Sequence, residues 1–143
     1  MKKVLFVCTG NTCRSPMAES ILKHLLNKNG IKDIEAASCG IAANVGQPMS
    51  DNAVKALINI GVQPHEHSAR QFIGSFIDEY DLILTMTKFQ KQYIGEFGNV
   101  YSLAEYTSSE DIPDPYGEPL EKYQDTAESL YKACEILLQK IIK

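Results

Sequence analysis

Val4-Leu5-Phe6-Val7-Cys8-Thr9-Gly10-Asn11-Thr12-Cys13-Arg14-Ser15-Pro16 is the stretch on which the fold turns. It opens on a short, continuous apolar run, the pattern of a parallel strand covered on both faces. Ser15-Pro16 reads as a helix start, a capping hydroxyl with Pro at the first helical position. Met17, Ile21, Leu22 and Leu25 then supply an apolar stripe, and Gly30 terminates it. The order strand, tight loop, helix places residues 8–15 at the carboxyl end of the first strand.

Outward from there the pattern repeats. Residues 34–39 read as a second strand, and Ser50 or Asp51 opens a helix through Ala53, Val54, Leu57 and Ile58, closed by Gly61. Residues 81–86 form a third strand; Thr87 caps a helix carrying Phe89, Tyr93, Ile94 and Phe97 before Gly98. Residues 100–103 make a short fourth strand and 108–119 a loop rich in Pro, Asp and Ser. A last helix carries Tyr123, Ala127, Leu130, Tyr131, Cys134, Leu137, Leu138 and Ile141 at helical spacing. Strands alternating with helices imply a parallel sheet with right-handed crossovers, so one α/β domain over residues 1–143 is expected.

At 143 residues the chain is long enough to bury a real core. Its hydrophobic and charged fractions, 44% and 22%, are those of globular proteins and argue against disorder. A net charge of −4 argues mildly against a dedicated nucleic-acid or anionic-membrane binder. The opening apolar run meets a Cys and a Gly before it reaches signal-peptide length, and no stretch approaches a membrane span. A cytoplasmic protein is expected, and with it reduced thiols at Cys8, Cys13, Cys39 and Cys134. No second ligand pair completes a zinc site with Cys8 and Cys13. His65-Glu66-His67 offers ligating groups on a strand, but loop or core-edge histidines are the commoner use, so no metal is expected.

Cys8 is followed by five residues and then by Arg14-Ser15. A loop running into a helix leaves backbone N–H groups unpaired, and these converge with the positive end of the helix dipole. A small anion fits there. Gly10 lets the backbone curl, and Asn11 is among the few non-glycine types that tolerate left-handed geometry. Arg14 can grip two phosphate oxygens with its planar fork, which Lys cannot. The same field favours a thiolate, so the Cys8 pKa is expected to fall well below that of a free thiol, making Cys8 a nucleophile. Taken alone Cys8 would be a small apolar strand end; Gly10, Arg14 and Ser15 argue otherwise. Phosphoryl transfer also needs a proton donor. Asp114 is the candidate, because Pro115 stiffens its loop and disfavours helix, with Tyr116 at the cleft mouth. By itself Asp114-Pro115 reads as an ordinary turn.

These residues together resemble the low-molecular-weight protein tyrosine phosphatase family over essentially the whole chain. The resemblance rests on V-C-T-G-N-T-C-R-S-P-M-A-E at 7–19 and D-P-Y-G at 114–117, with H-S-A-R-Q at 67–71 and D-L-I-L-T-M at 81–86 in support. It implies a four-stranded parallel sheet of order 2-1-3-4 with helices on both faces, and a phosphate-binding loop between the first strand and first helix. That loop lies beside a topological switch point, where ligands bind. It implies phosphorylated protein substrates, no metal or other cofactor, and a monomer. On matching positions, Cys8 would be the nucleophile that becomes phosphocysteine and Arg14 would stabilise the phosphoryl group. Asp114 would protonate the leaving group and then activate water. Thr9, Gly10, Asn11, Thr12, Cys13 and Ser15 would bind phosphate. Asn11, Ser15, Ser38 and His67 would support the loop by hydrogen bonds, Ser15 also donating to the Cys8 thiolate. Cys13 matches a second loop cysteine that traps the oxidised nucleophile as a reversible disulfide, or simply fills the loop.

The family name implies phosphotyrosine, but Thr12 stands where tyrosine-directed relatives carry a bulky aliphatic residue and the protein-arginine phosphatase branch carries Thr. Residues 41–46 offer Ala42 and Ala43 where a large aromatic is frequent, and Gly117 replaces a second aromatic after Tyr116. Fewer aromatic walls mean less stacking for a tyrosine ring. Phosphoarginine is therefore the expected substrate, with phosphotyrosine the alternative. Arsenate reductases share the loop but need further cysteines, and residues 78–92 contain none. A non-catalytic phosphoprotein-binding module would have no need of Cys8 and Asp114 together.

Overall fold

The apolar run at residues 4–7 is fully buried at the centre of β1 (Lys2–Cys8). Its side chains alternate, Val4 and Phe6 entering one core cluster and Leu5 and Val7 the other, as a strand's two-residue period requires. Two covered faces explain why no polar residue interrupts the run. The structure, a computed structural model, describes residues 2–142. β2 (Ile34–Gly40), β3 (Leu82–Thr85) and β4 (Val100–Ser102) complete one parallel sheet of order β2-β1-β3-β4.

The helices are α1 (Arg14–Lys28), α2 (Asp51–Asn59), α3 (Phe76–Glu79), α4 (Lys88–Ile94), α5 (Leu103–Thr107) and α6 (Leu120–Ile141). Met17, Ile21 and Leu22 of α1, Ala53 and Leu57 of α2, and Leu130, Cys134 and Leu137 of α6 cover the Val4–Phe6 face. Phe76 of α3 and Tyr80 cover the other with Ile83, and Ile94 of α4 packs at its edge. Each fully buried Leu or Phe is worth about 1.5–3 kcal/mol, so the layers hold β1, and the loop leaving it, in place. No helix among the described residues is long and apolar enough to cross a membrane.

Several local expectations need correction. α1 begins at Arg14 with Cys13 as N-cap and no side-chain cap bond, so Ser15 is not the cap and Pro16 is not its first residue. Pro16 remains within the first turn, where its missing N–H has no helical partner to lose. α4 stops at Gly95, whose φ of 111° suits glycine, rather than running to Gly98. Phe89, Tyr93 and Phe97 are exposed by 67%, 61% and 46%. The inward residue is Gln90, whose side chain accepts from the N–H groups of Met86 and Thr87. The fourth strand ends at Ser102, which caps α5 in a reciprocal box with Glu105. α3 and α5, at 4 and 5 residues, are too short to carry a periodic signal.

Candidate active site

The loop between β1 and α1 closes around the Cys8 sulfur. Sγ accepts from the Asn11 N–H at 3.2 Å and lies 2.8 Å from Ser15 Oγ. The left-handed turn falls on Asn11 at φ 58°, and Gly10 is not in that region. Asn11 is held from every side. Its amide nitrogen donates to Ser15 Oγ at 2.9 Å and Ser38 Oγ at 3.0 Å, and its side-chain oxygen accepts from Arg70 N–H at 2.9 Å. Its carbonyl meets His67 Nε2 at 2.7 Å. These bonds offset the roughly 1–3 kcal/mol that a non-glycine residue costs in the left-handed region. The expected support group of Asn11, Ser15, Ser38 and His67 is thus brought together.

Two opposing influences act on the Cys8 sulfur. Burial pushes the thiol above its ordinary value; the Ser15 hydrogen bond, the Arg14 charge and the Asn11 N–H pull it down without cancelling that rise. This corrects the expected fall, which weighed the helix terminus and Arg14 but not the dehydration of a sulfur only 2% exposed. Ser15 Oγ also lies 3.3 Å from the Cys39 carbonyl. Because Asn11 donates to that hydroxyl, its single proton has two destinations. It points to Cys39 while Cys8 is a thiol and to sulfur once Cys8 ionises.

Arg14 is 5% exposed; one guanidinium nitrogen donates to the Ile112 carbonyl at 3.0 Å and another lies 3.7 Å from an Asp114 oxygen. Asp114 comes from the long 108–119 loop. Its other oxygen accepts the Tyr116 N–H at 3.0 Å, the turn that Pro115 pre-sets. Residues 8–14 line a cleft of about 290 Å³ together with Ala42, Asn44, Gln47, Asp114 and Tyr116. Thr9 Oγ1 accepts from Gln90 at 3.2 Å. Cys13 is a free thiol with Ser50 Oγ at 3.4 Å and the Tyr123 hydroxyl at 3.6 Å. The nucleophile candidate, the guanidinium and the carboxylate therefore meet at one cleft, despite their separation in sequence.

A family model described as low molecular weight phosphotyrosine protein phosphatase matches residues 3–143. The chain belongs to that family. Among curated relatives of this phosphatase family, a protein-arginine-phosphatase of Bacillus subtilis is 33% identical over 147 residues, 98% of this chain and 97% of its own. The low molecular weight protein-tyrosine-phosphatase PtpB of Staphylococcus haemolyticus is 39% identical over 133 residues, 90% of this chain and 91% of its own. A crystal structure of a YwlE mutant from Bacillus subtilis superimposes with a TM-score of 0.92 at 31% identity, covering 100% of both chains. The chain is a cysteine-dependent low molecular weight protein phosphatase.

Several residues of this phosphatase site escape sequence reasoning. Gly40 ends β2 where a Cβ would sit 2.5 Å from the Thr9 carbonyl oxygen, so only glycine lets the loop lie against the sheet. Arg70 reaches Ser38 O at 3.1 Å and the Tyr80 hydroxyl at 2.9 Å. Glu19 accepts from Ser38 Oγ at 2.7 Å. Burial would raise the Glu19 carboxyl, but the bonds and charge of His65 and the bonds of Lys23 and Ser38 outweigh it and draw it down to about 2. Glu19 and Arg70 lie within the stretches that carry the family resemblance; nothing in their periodicity marks them. The His65–His67 pair is joined by Glu19 from α1, while Glu66 between them is exposed. Cys39, pushed up to about 12 by burial, and Cys134, also raised by burial, are core thiols.

Proposed function

We propose that the chain hydrolyses phosphoarginine on proteins through a phosphocysteine at Cys8. The observation that carries the arginine reading is the cleft mouth: Thr12, Ala42, Asn44 and Gln47 line it, and Tyr116 is its one aromatic. A phosphoguanidinium carries N–H donors that amide and carboxylate oxygens can accept, whereas a tyrosine ring gains most from stacking walls. The likeness to an arginine phosphatase along nearly the whole chain supports this reading.

In the proposed reaction Cys8 passes its proton to a phosphate oxygen of the substrate, the thiolate attacks phosphorus in line and the P–N bond breaks. The departing guanidine nitrogen takes a proton from Asp114. Arg14 and the amide hydrogens of residues 9–15 balance the charge on the equatorial oxygens. Water then attacks the phosphocysteine, Asp114 takes its proton, and the S–P bond breaks to return the thiolate and release phosphate. As the sulfur leaves, Ser15 turns its hydroxyl from Cys39 O to the new thiolate.

The exposed Tyr116 favours phosphotyrosine as the second reading, since its ring could stack on a substrate ring at the mouth. Catalytic efficiency on a phosphoarginine protein and a phosphotyrosine peptide, measured side by side, separates them. Thr12→Ile should lower the arginine-to-tyrosine ratio by roughly tenfold or more, the scale on which a pocket wall discriminates. An unchanged ratio removes the arginine reading.

A further inference from the structure

We propose that Glu19, His65 and His67 form a binding site for one divalent transition ion of the zinc class, separate from the phosphoryl-transfer groups. His65 Nε2 lies 2.9 Å from His67 Nδ1 and 3.2 Å from Glu19 Oε1. All three residues offer ligand atoms within 4.8 Å of one another. A tetrahedral ion with bonds of about 2.0 Å spaces its ligands about 3.3 Å apart, so small shifts of the three side chains admit one. Two imidazoles and a carboxylate are the donor set of zinc and its neighbours, with water in the fourth place.

The remaining polar atoms of the cluster are already committed as ligation requires. His67 Nε2 donates to the Asn11 carbonyl at 2.7 Å, which fixes the ring proton there and leaves the Nδ1 lone pair facing His65. Ser38 Oγ holds Glu19 at 2.7 Å. His65 Nδ1 rests on Ser20 Oγ, which also accepts the His65 N–H at 3.1 Å. Such outer partners orient metal ligands. His67 Nδ1 and Glu19 Oε1 therefore aim lone pairs at one point, and the only proton that can lie between them is on His65 Nε2. An ion takes that proton's place. From a charged His65 ring the Nε2 proton is released to water while Nδ1 keeps its own against Ser20 Oγ, and no redox step is involved. The Glu19 and His65 side chains are 9% and 11% exposed, unlike a solvated surface cluster. Through His67 the ion would brace Asn11, the left-handed residue of the phosphate loop.

The test is titration of chelator-treated, full-length Cys8→Ser protein with Co²⁺, followed by visible absorption and equilibrium dialysis. One equivalent should bind with tetrahedral d–d bands and no sulfur-to-cobalt charge-transfer band. His65→Ala should weaken binding by more than about a hundredfold, beyond what loss of an outer partner costs. Glu66→Ala, at the exposed neighbour, should not weaken it. No binding at micromolar Co²⁺, a charge-transfer band from Cys13, or full binding by His65→Ala would each overturn the site. A second readout needs no variant: Zn²⁺ should move the ring ¹⁵N signals of His65 and His67 and leave His24 unchanged. Equal movement of all three signals, or of none, would also overturn it.

Discussion

Ser15→Ala tests how this site ionises a buried sulfur. The Ser15 hydroxyl lies 2.8 Å from Cys8 Sγ in a place closed to water, and it is the strongest of the influences that lower the thiol. A hydrogen bond to a buried charged group is worth about 1.5–3 kcal/mol. At about 1.4 kcal/mol per pKa unit, its loss should raise the Cys8 pKa by about 1–2 units. The assay is the pH dependence of Cys8 alkylation by iodoacetamide, with the acid limb of kcat/KM in parallel; both should move to alkaline pH by that amount. Expelling the thiolate from phosphocysteine should also slow more than forming it. An activated aryl phosphate should therefore release a burst of leaving group from the variant. The substitution also frees the Asn11 amide from one of its two acceptors. Phosphate affinity, which the proposed reaction assigns to Arg14 and the amide ring, is the control and should stay within about threefold, well under the 1.4 kcal/mol of a tenfold change. An unmoved alkylation profile with intact phosphate binding would refute the reasoning.

Asp114→Asn should slow substrates with poor leaving groups by about 10²–10⁴ and activated aryl phosphates far less; uniform slowing would remove its role as acid. Gly40→Ala should lower stability by about 1–3 kcal/mol in a denaturant titration and weaken phosphate binding, because the new Cβ meets the Thr9 carbonyl oxygen at 2.5 Å. Wild-type values for both would mean that the loop does not need that close approach. The Glu19 carboxyl, at about 2 when folded and about 4.5 when unfolded, contributes up to about 3 kcal/mol above the unfolded value. In the metal-free protein that stability should be lost as pH falls from 4.5 through 2, because the unfolded state binds more protons there. Glu19→Gln should flatten this slope, and an equal slope in both proteins would contradict the assignment.

The fold was legible because β1 and α1 announce themselves in one short stretch. Continuous apolarity at residues 4–7 required two covered faces; the same logic found β3, and helical spacing found α6. Phe89, Tyr93 and Phe97 have helical spacing, yet spacing does not say which face is buried, and all three are exposed. Gln90, polar and inward, is the residue that hydropathy assigns to solvent. At the site, local pattern identified Cys8 and Arg14, and the stiff Asp114-Pro115 pair was recognisable once they were in view. Gly40, Glu19 and Arg70 act across gaps in sequence that only the sheet closes, so no local rule could find them. The sign of the Cys8 shift is hidden from the sequence for a related reason. Charges are visible in sequence, but the dehydration that opposes them depends on what finally packs around the sulfur.

The two halves of the site are built with different rigidity, and one residue joins them. The phosphate loop is fixed to the sheet by buried hydrogen bonds through Asn11, Ser38 and Gly40, as positioning a phosphoryl group requires. Asp114 stands on an exposed loop with 53% of its side chain in solvent, where the proposed acid would be free to meet leaving groups of different shape. Ile112 bridges them. Its side chain is buried at 3%, its N–H donates to Met86 O at the end of β3, and its carbonyl accepts from Arg14. Arg14 therefore also holds the start of the loop that carries Asp114, beyond the anion-binding part the proposed reaction gives it. Replacing Arg14 by Lys would remove this planar, two-sided grip as well as weaken phosphate binding, and the proposed acid would lose its registration with the nucleophile. Chemistry fixed at the strand–helix junction with the proposed specificity carried on the loops around it would let one junction serve different phosphorylated side chains.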